Sequence, residues 1–518
     1  MAQLNLARLC RYLPDARLPP NAGDVRITRV RDDSRVVEHG DLFVAVRGST
    51  SDGADHIAEA AARGAAAVVV ESGDAASSAA SSGSNVSGLP AVRVPDARVA
   101  LAELAAASLG YPGRQLDLVG ITGTVGKTSV LMMLARILEH AGVIAGSIGS
   151  LGIRFPGTDA GTLNTTPGAV AIQEALSAMV AAGVSVAAME VTSHALVQNR
   201  VHGLRYALGI FTNLTMLEHL EYHGSFRDYA AAKLRFLETL QPGAPLCYAD
   251  GDRVLREAAR RHGGPRVSCG GGGGAWISVR RESMSLRGTN IILSIRRPLP
   301  RLHGPDLEPC AVPLSLQTLG RPNTINATLA AAAGLIIGAP PDAVQSALAR
   351  IKPPKRRLET IREHAPIIID DTVGHPDSIT GVFELVERVP HRQLRVVFCI
   401  RGKRGPEINV RDAEAMAIWA RRVHIDRLHV TSAVDTADDR NTVSPQERRA
   451  FLDVLRNESV EHSHHERLEN AVAAALDGAG DRDLLLLLGA QGMDAGADVA
   501  QRLLDRDYGP SNARMSRE

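Results

Sequence analysis

The chain has 518 residues and a mass of 55.0 kDa, which exceeds what one hydrophobic core holds, so we expect about three domains of roughly 150 residues each. Hydrophobic residues make up 45% and charged residues 22%, which is typical of a globular protein and excludes a disordered chain. The formal net charge is +1 and only 3% of residues are aromatic, so a nucleic-acid surface and a ring-lined carbohydrate site are not indicated. An anion site must therefore be local.

The five cysteines include no C-x-x-C pair, and the N-terminus does not look like a signal peptide. The longest apolar runs, such as Leu484–Leu488, are far shorter than the roughly 20 residues that a membrane helix needs. We therefore expect a cytoplasmic protein without membrane insertion, whose thiols act as small hydrophobic side chains.

Short β-branched runs alternate with Ala/Leu-rich stretches along the first two thirds of the chain. In chain order, the pattern predicts a helix over 57–63, strands over 65–71 and 117–122, a helix over 127–141, and strands over 184–189 and 209–211. Such alternation predicts parallel sheets joined by helical crossovers.

The last third repeats this alternation. An Ala-rich helix over 326–335 is followed by strands over 367–370, 394–400, 428–431 and 484–488. This pattern predicts a doubly wound domain. Boundary signals at Tyr111–Gly113 and around Pro353–Arg357 give three α/β domains, at 1–112, 113–349 and 350–518.

Residues 119–129 read V-G-I-T-G-T-V-G-K-T-S, between a predicted strand and a predicted helix. Glycines let backbone N–H groups approach a phosphate, Lys127 would meet the β- and γ-phosphates, and Thr128 offers a hydroxyl to Mg²⁺. The spacing departs from G-x-x-x-x-G-K-[ST] at Ile121. An ordinary Gly-rich turn is the alternative, but Gly-Lys-Thr at a helix entrance favours nucleotide binding.

Polar residues follow two further apolar strands. Glu190 ends the strand over 184–189, and Asn213, Glu218 and His219 follow the strand over 209–211. Ligands bind at the carboxyl ends of parallel strands, so Glu190 is a candidate Mg²⁺ ligand. A solvated Glu is the alternative, which the almost wholly apolar strand before it argues against. The residues alone leave the roles of His194, His219 and His223 open.

Several linked motifs resemble those of the Mur ligase family, nearest to its MurE type. They are D-S-R at 33–35, G-D-L-F-V-A-V-R-G at 40–48, G-I-T-G-T-V-G-K-T at 120–128, N-T-T-P at 164–167, E-V-T-S-H-A-L at 190–196, T-N-L-T at 212–215, E-H-L-E-Y-H-G at 218–224 and A-A-A-K at 230–233. Their number and order cover nearly the whole chain and are far more specific than the phosphate loop alone.

The resemblance implies a fold with a smaller N-terminal UDP-binding α/β domain, a central P-loop ATPase-like parallel sheet and a C-terminal Rossmann-like domain. It also implies an ATP-dependent amide ligase. The carboxylate of a UDP-N-acetylmuramoyl-dipeptide would attack the γ-phosphate of ATP, and an amino-acid amine would then attack the acyl phosphate. ATP and Mg²⁺ are the implied cofactors. The implied partners are the UDP-linked carboxylate and the amino acid, with no nucleic acid, and we expect a monomer.

The resemblance also assigns residues. For the nucleotide it implies the loop residues Gly123, Thr124, Gly126, Lys127, Thr128 and Ser129, and then Asn323, Asn326, Arg357 and Asp371. For Mg²⁺ it implies Thr128, Glu190, His219 and Lys233 as a carbamate, so that Lys127, Lys233, Glu190 and His219 form the catalytic set. For the UDP-muramoyl substrate it implies Ser34, Thr165, Thr166, Thr192, Gln198 and Arg200. The residue pattern alone would make Lys233 an ordinary surface lysine.

The C-terminal third departs from the family pattern where the acceptor is chosen. The family's D-Y-A-H-x-P is replaced by D-T-V-G-H-P at 371–376, and its D-N-P-R and G-K-G-H-E motifs are replaced by S-A-V-D at 432–435 and G-A-Q-G-M at 489–493. Arg356 replaces the glycine of G-R-x-E. Arg401, Lys403 and Arg404 form a basic cluster that suits either an acceptor carboxylate or a solvated loop.

Three hypotheses follow. The first is a muramoyl-dipeptide ligase that adds a third amino acid. The second is a paralogous ligase that uses the same chemistry on another carboxylate, as folylpolyglutamate or cyanophycin synthetases do. The third is an ATP-binding scaffold without ligase activity. The retained phosphate-loop and metal positions favour a working ligase with an altered amine acceptor.

Overall fold

The architecture is an alternation of short apolar strands and helices, as the sequence predicts. A computed structural model describes residues 4–13, 15–48, 51–72, 85–214, 223–272, 274–285, 288–352, 355–364 and 366–508. These residues form two compact units. The first contains the described residues up to Ser278, Ile295–Cys310 and Asn326–Val344, and the second contains Val279–Ser294, Ala311–Ile325 and the described residues from Gln345 onward.

The first unit begins with a small α/β sheet. Its elements are β1 (Leu4–Asn5), α1 (Leu6–Cys10), β2 (Arg26–Ile27), β3 (Val30–Arg31), β4 (Leu42–Val44), α2 (Ile57–Ala62), β5 (Ala67–Glu71), β6 (Asn85–Val86), β7 (Leu89–Val94) and α3 (Ala97–Ser108). The sheet order is β3-β4-β5-β7-β6, parallel except for β6, while β1 and β2 pair separately. Strand β5 is almost wholly buried because helices α2 and α3 supply apolar side chains to its two faces.

A larger parallel sheet follows; it lies in the same unit up to Ser278, and the rest of its last strand belongs to the second unit. Its elements are β8 (Asp117–Thr122), α4 (Lys127–His140), β9 (Ala145–Gly149), β10 (Gly152–Phe155), β11 (Thr158–Ala160), α5 (Ala169–Ala181), β12 (Val186–Glu190), α6 (Ser193–Val197), β13 (Leu208–Phe211), α7 (Phe226–Leu234), β14 (Leu246–Ala249), α8 (Arg253–Arg260), β15 (Arg266–Gly270) and β16 (Ile277–Ser285). Strands β9, β12, β8, β13, β14, β15 and β16 lie side by side in this order and run parallel. The carboxyl ends of β12, β8 and β13 therefore meet at one edge.

The second unit contains a hairpin and a doubly wound sheet. Its elements are β17 (Gly288–Ile295), β18 (Ala311–Leu316), β19 (Glu359–Arg362), β20 (Ile367–Asp371), α11 (Pro376–Val386), β21 (Leu394–Cys399), α12 (Pro406–Val423), β22 (Arg427–Thr431), α13 (Pro445–Asn457), β23 (Ser463–His465), α14 (Leu468–Leu476), β24 (Leu484–Gly489) and α15 (Gly496–Tyr508). Helices α9 (Arg321–Ile337) and α10 (Pro341–Ala349) contain residues of both units. The sheet order is β19-β20-β24-β21-β22-β23, parallel except for β19.

The α/β class and the parallel sheets are confirmed. Helix α9 begins at Arg321, five residues before the predicted start, because Pro322 is tolerated in the first turn of a helix. All five cysteines are free and four are buried. The division into three domains at 112/113 and 349/350 stays a prediction. Within the described part of the chain, no helix is long and apolar enough to cross a membrane.

Candidate active site

The phosphate loop connects the end of β8 to the start of α4. Gly123 and Gly126 have φ values of 139° and 90°, which L side chains rarely adopt. A Cβ atom at Gly123 would lie 2.0 Å from Thr212 Oγ1, and one at Gly126 would lie 2.4 Å from Asn326 Oδ1. Only glycine allows the loop to approach these neighbours so closely.

Residues after β13 hold the loop in place. Asn213 Oδ1 accepts from the Val125 N–H at 3.0 Å, and Asn213 Nδ2 donates to the Val125 carbonyl at 2.9 Å. Thr212 Oγ1 donates to the same carbonyl at 2.6 Å, and the Thr124 N–H donates to the Asn213 carbonyl at 3.0 Å. The loop is therefore fixed from the neighbouring strand before any ligand binds.

Lys127 begins α4 and covers the loop. Its Nζ donates to the Gly123 carbonyl at 2.8 Å and to the Thr124 carbonyl at 2.7 Å. Thr128 and Ser129 occupy the same first helical turn, where backbone N–H groups lack partners within the helix. The loop therefore combines a positioned ammonium with a helix N-terminus, which suits a phosphate chain.

Glu190 ends β12 directly beside β8. Thr128 Oγ1 lies 3.0 and 2.9 Å from the two carboxylate oxygens, and the Ser150 N–H donates to Oε1 at 2.8 Å. The Glu190 side chain is fully buried, and burial raises its pKa despite these hydrogen bonds. A hydroxyl and a carboxylate in contact form a hard oxygen pair that fits Mg²⁺.

Among the described residues, no group of three or more His, Cys, Asp or Glu could hold a metal ion. The described part of the predicted Mg²⁺ set is thus Thr128, Glu190 and Lys233. His219 and Glu218 lie outside the described residues.

Lys233 lies in the last turn of α7 with 1% of its side chain exposed, so the surface position that its sequence context alone predicts is wrong. Its Nζ is 5.1 Å from the Tyr229 ring centroid. The Tyr229 hydroxyl lies 2.9 Å from Thr124 Oγ1, which joins α7 to the phosphate loop. Buried lysines are rare, so this environment indicates a specific role.

Tyr229 and the aromatic contacts around it were not predicted. The ring of His223 lies 5.4 Å from that of Tyr229, and His223 Nε2 is 3.0 Å from Ser193 Oγ. The available signal was spacing: Tyr229 lies one helical turn before Lys233, on the same face of α7.

A second polar cluster adjoins Glu190 and contains four of the six predicted substrate residues, Thr166, Thr192, Gln198 and Arg200. Thr166 Oγ1 donates to the Glu190 carbonyl at 2.9 Å and accepts from the Thr192 N–H at 3.1 Å. Arg200 donates from Nη1 to the Thr166 carbonyl at 2.7 Å and from Nη2 to Gln198 Oε1 at 2.7 Å.

The remaining two predicted substrate residues lie at the borders of this region. Thr165 Oγ1 lies 3.0 Å from the Ser150 hydroxyl, next to the contact that Ser150 makes with Glu190. Ser34 is buried at the start of a short 3₁₀ helix after β3, and its hydroxyl donates to Glu59 Oε2 at 2.6 Å.

The predicted nucleotide residues of the second unit make hydrogen bonds within that unit. Asn323 Nδ2 donates to the Leu319 carbonyl at 2.8 Å, inside the first turn of α9. Asp371 Oδ1 accepts from the Leu358 N–H at 2.7 Å, and burial raises the pKa of Asp371 to about 6. Arg357 is exposed.

Arg356, which replaces the family's glycine, is buried. Its Nε lies 3.2 Å from both carboxylate oxygens of Asp370, and its Nη2 donates to the Gly489 carbonyl at 2.6 Å. It also pairs with Asp494. The replacement therefore creates a polar centre that joins β20 to the end of β24.

Other departures from the family pattern also have structural contacts. The His375 ring accepts from the Ser378 N–H at 3.3 Å and caps α11. Asp435 Oδ1 accepts from the Leu468 N–H at 2.7 Å at the start of α14. Arg401 donates to the Gly374 carbonyl at 2.6 Å, whereas Lys403 and Arg404 are exposed.

Comparison with protein families gives three adjacent matches. The Mur ligase family catalytic domain matches residues 26–109, the Mur ligase middle domain matches 121–334, and the glutamate ligase domain of Mur ligases matches 356–491.

The chain is also similar to named relatives along most of its length. It is 31% identical to a UDP-N-acetylmuramoyl-L-alanyl-D-glutamate--2,6-diaminopimelate ligase of Geobacillus kaustophilus, over 90% of this chain and 91% of that protein. The ligase of the same name from Chelativorans sp. is 32% identical over 92% of each chain.

Solved structures share the fold. One of a UDP-N-acetylmuramoyl-L-alanyl-D-glutamate--2,6-diaminopimelate ligase has a TM-score of 0.66 and 19% identity, covering 98% of this chain and 99% of that one. MurF from Acinetobacter baumannii has a TM-score of 0.65 and 18% identity, covering 97% and 99%. MurF ligase from Thermotoga maritima in complex with ADP has a TM-score of 0.59 and 18% identity, covering 92% and 97%.

Proposed function

The chain belongs to the Mur ligase family, and we propose that it is an ATP-dependent amide ligase that couples an amino acid to the carboxylate of a UDP-N-acetylmuramoyl-dipeptide. One observation carries the proposal. The carboxylate of Glu190 contacts Thr128 of the phosphate loop, while the backbone carbonyl of Glu190 accepts from Thr166. A single residue thus links the loop suited to ATP phosphates with the polar cluster suited to the second substrate.

In the first step, an oxygen of the substrate carboxylate attacks the γ-phosphorus of ATP, an acyl phosphate forms and ADP leaves. Lys127 and the N–H groups at the start of α4 hold the phosphates and stabilise the charge that develops on their oxygens. Lys127 exchanges its present bonds to Gly123 and Thr124 for phosphate oxygens. Asn326 lies against Gly126 and completes the wall of the loop.

Thr128 and Glu190 would hold Mg²⁺, which when bound neutralises phosphate oxygens and orients them for in-line transfer. Their contact of 2.9 Å is the arrangement expected of two ligands that share one cation. The fixed Ser150 N–H keeps the Glu190 carboxylate oriented.

Lys233 is proposed to carry a carbamate. Its neutral amine would attack CO₂, a C–N bond would form and a proton would leave, giving an anionic oxygen ligand in place of a cation. The support is the burial of Lys233 and its junction with the phosphate loop through Tyr229 and Thr124. His219 is proposed as a ligand of a second Mg²⁺ by its match to the family motif.

Arg200 is proposed to bind the diphosphate of the UDP-linked substrate, because a guanidinium forms paired hydrogen bonds to phosphate oxygens. Gln198 and the Thr166 carbonyl orient the guanidinium. Thr165 and Thr192 would contact the muramoyl part, and Ser34 the uridine side. Asn323, Arg357 and Asp371 are proposed to contact the nucleotide.

In the second step, the amino-acid amine attacks the acyl carbon, phosphate leaves and the nitrogen loses a proton. Residues of the second unit that depart from the family pattern make hydrogen bonds within that unit. The relatives named as 2,6-diaminopimelate ligases make that diamino acid the first acceptor to test.

The test is an amino-acid panel with ATP, Mg²⁺ and UDP-N-acetylmuramoyl-dipeptide, scored by phosphate release and product mass. We expect one acceptor that gives a product heavier by the amino acid minus water, and a kcat about 10³-fold lower in Lys127→Ala. Turnover of a different carboxylate, such as a folate, with no turnover of the UDP-linked dipeptide would favour the paralogue. No turnover of any carboxylate would favour the scaffold.

A further inference from the structure

A polar groove lies on the first unit beside α8, away from the phosphate loop. It has a volume of about 260 Å³ and lies where β14, β15 and the start of β16 are adjacent. The phosphate loop instead lies between β8 and α4. No motif discussed above includes the residues of this groove.

Strands β14 and β15 and the residue before β16 supply the floor. Tyr248 on β14 is paired in register with Ser268 on β15, and the Ser268 hydroxyl accepts from the Trp276 N–H at 2.9 Å. Trp276 Nε1 donates to the Arg297 carbonyl at 3.3 Å, which holds the indole in place. Two aromatic side chains thus flank a hydroxyl on one surface.

Four arginines supply the walls. Arg256 and Arg260 lie four residues apart on α8 and therefore project from the same face of that helix. Arg266 begins β15, and the Arg297 guanidinium lies 5.6 Å from the Trp276 ring centroid.

The charge of the groove is strongly positive. Glu257 pairs with Arg260 at 3.0 Å, and both side chains of this pair are exposed, so the pair is weakly held. Arg266 Nη1 donates to the Arg260 carbonyl at 3.3 Å, which brings it close to α8. The formal charge of +1 for the whole chain makes this concentration of guanidinium groups a local feature.

We propose that this groove is a second ligand site, which binds a small aromatic phosphate with its ring on Trp276 and its phosphate between Arg256 and Arg260. Aromatic rings stack on indole and phenol faces, and guanidinium groups bind phosphate through paired hydrogen bonds. The volume lies just below the range of roughly 300–1,000 Å³ for drug-sized ligands, so one ring with one phosphate fits best.

The same helix that holds the phosphate is connected to the active-site edge. Asp252 caps α8 by accepting from the Val254 and Leu255 N–H groups, and its other oxygen accepts from the Leu214 N–H at 2.8 Å. Leu214 follows Asn213, which fixes Val125 of the phosphate loop. A ligand in the groove would therefore bind helix α8, whose cap Asp252 contacts Leu214, next to the residue that supports the phosphate loop.

The binding test uses the fluorescence of Trp276. The chain has 2 tryptophans, so Trp419→Phe leaves Trp276 as the sole reporter, and Lys127→Ala in the same background weakens phosphate binding at the loop. The probes are AMP, adenosine and inorganic phosphate. We expect saturable quenching by AMP with a Kd below about 1 mM, and at least ~10-fold weaker binding of adenosine and of phosphate.

The variant Arg256→Gln/Arg260→Gln should weaken AMP binding at least ~10-fold, and Arg253→Gln is the matched control on the same helix outside the groove. Trp276→Phe, measured by calorimetry, should weaken AMP and leave phosphate unchanged. Equal quenching in the Arg256/Arg260 variant, equal affinity for phosphate and AMP, or no saturation by any probe would each overturn the proposal.

Discussion

The phosphate-loop edge of the first unit and the strand ends of the second unit use similar polar residues for different purposes. At the loop, Thr128 and Glu190 bond to each other at an edge where the loop retains an exposed Val125 and half-buried Lys127. In the second unit, Arg356 and Asp370 are buried and bond within the sheet. The family's residue pattern is retained at the phosphate-loop edge, and it is altered in the second unit where the replaced residues bond within the fold.

Lys127→Ala tests the role of the phosphate loop and should have the largest effect. Loss of a positioned cation at the transferring phosphate should lower kcat about 10³-fold, or roughly 4 kcal/mol, with little change in stability. Phosphate release and thermal unfolding of the same preparation measure both. Wild-type turnover in the variant would contradict the role given to the loop.

Arg356→Ala tests the second unit. Removing the guanidinium leaves the Asp370 carboxylate buried without its ion-pair partner. The free energy of unfolding should therefore fall by about 3 kcal/mol. The control is Arg357→Ala, whose side chain is exposed and whose change should stay within about 0.5 kcal/mol. Urea denaturation measures both variants. Equal effects of the two would remove the contrast between a structural Arg356 and an exposed Arg357.

Lys233→Arg tests the proposed carbamate in the active site. Arginine keeps the positive charge but cannot form the carbamate, so we expect about a 10²-fold loss of kcat. Depleting bicarbonate should lower wild-type activity and leave the residual activity of the variant unchanged. If Lys233→Arg retained wild-type turnover, the carbamate proposal would be wrong.

Asp412→Asn should have the smallest effect of these variants. It tests how stability depends on pH. Asp412 on α12 is buried, and burial raises its pKa to about 7, above the ordinary value of 3.8. Between about pH 4 and 7 the folded state binds a proton on Asp412 that the unfolded state has lost. The free energy of unfolding therefore falls as pH rises through this range.

The Asn variant should therefore gain about 1–2 kcal/mol over wild type at pH 8, and much less at pH 4.5. Denaturation at both pH values checks this, with Glu414→Gln, an exposed change on the same helix, as the control. A gain that is the same at both pH values would contradict the buried-acid interpretation.

The sequence predicts the main strands and helices of both regions well. Apolar strands followed by a polar residue locate the loop and Glu190, because side chains at the ends of parallel strands meet at one edge. The link between Thr166 and Glu190 could not be read from the pattern, since it depends on how a loop 24 residues away folds back.

Charged residues that are buried mark the limit of sequence reasoning. Lys233 ends a helical turn after three alanines and is predicted from that pattern as a surface lysine, and Arg356 lies in the charged run 355–357, yet tertiary contacts bury both side chains. The groove beside α8 was missed for the same reason, because its arginines and Trp276 are scattered along the chain and meet only in the fold.

The central claim is that the substrate carboxylate is activated by phosphoryl transfer from ATP. The most direct measurement uses UDP-N-acetylmuramoyl-dipeptide labelled with ¹⁸O in its terminal carboxylate, together with ATP and the best acceptor from the panel. We expect one ¹⁸O atom in the released inorganic phosphate for each amide bond formed. Phosphate that contains no ¹⁸O, with product still formed, would contradict it.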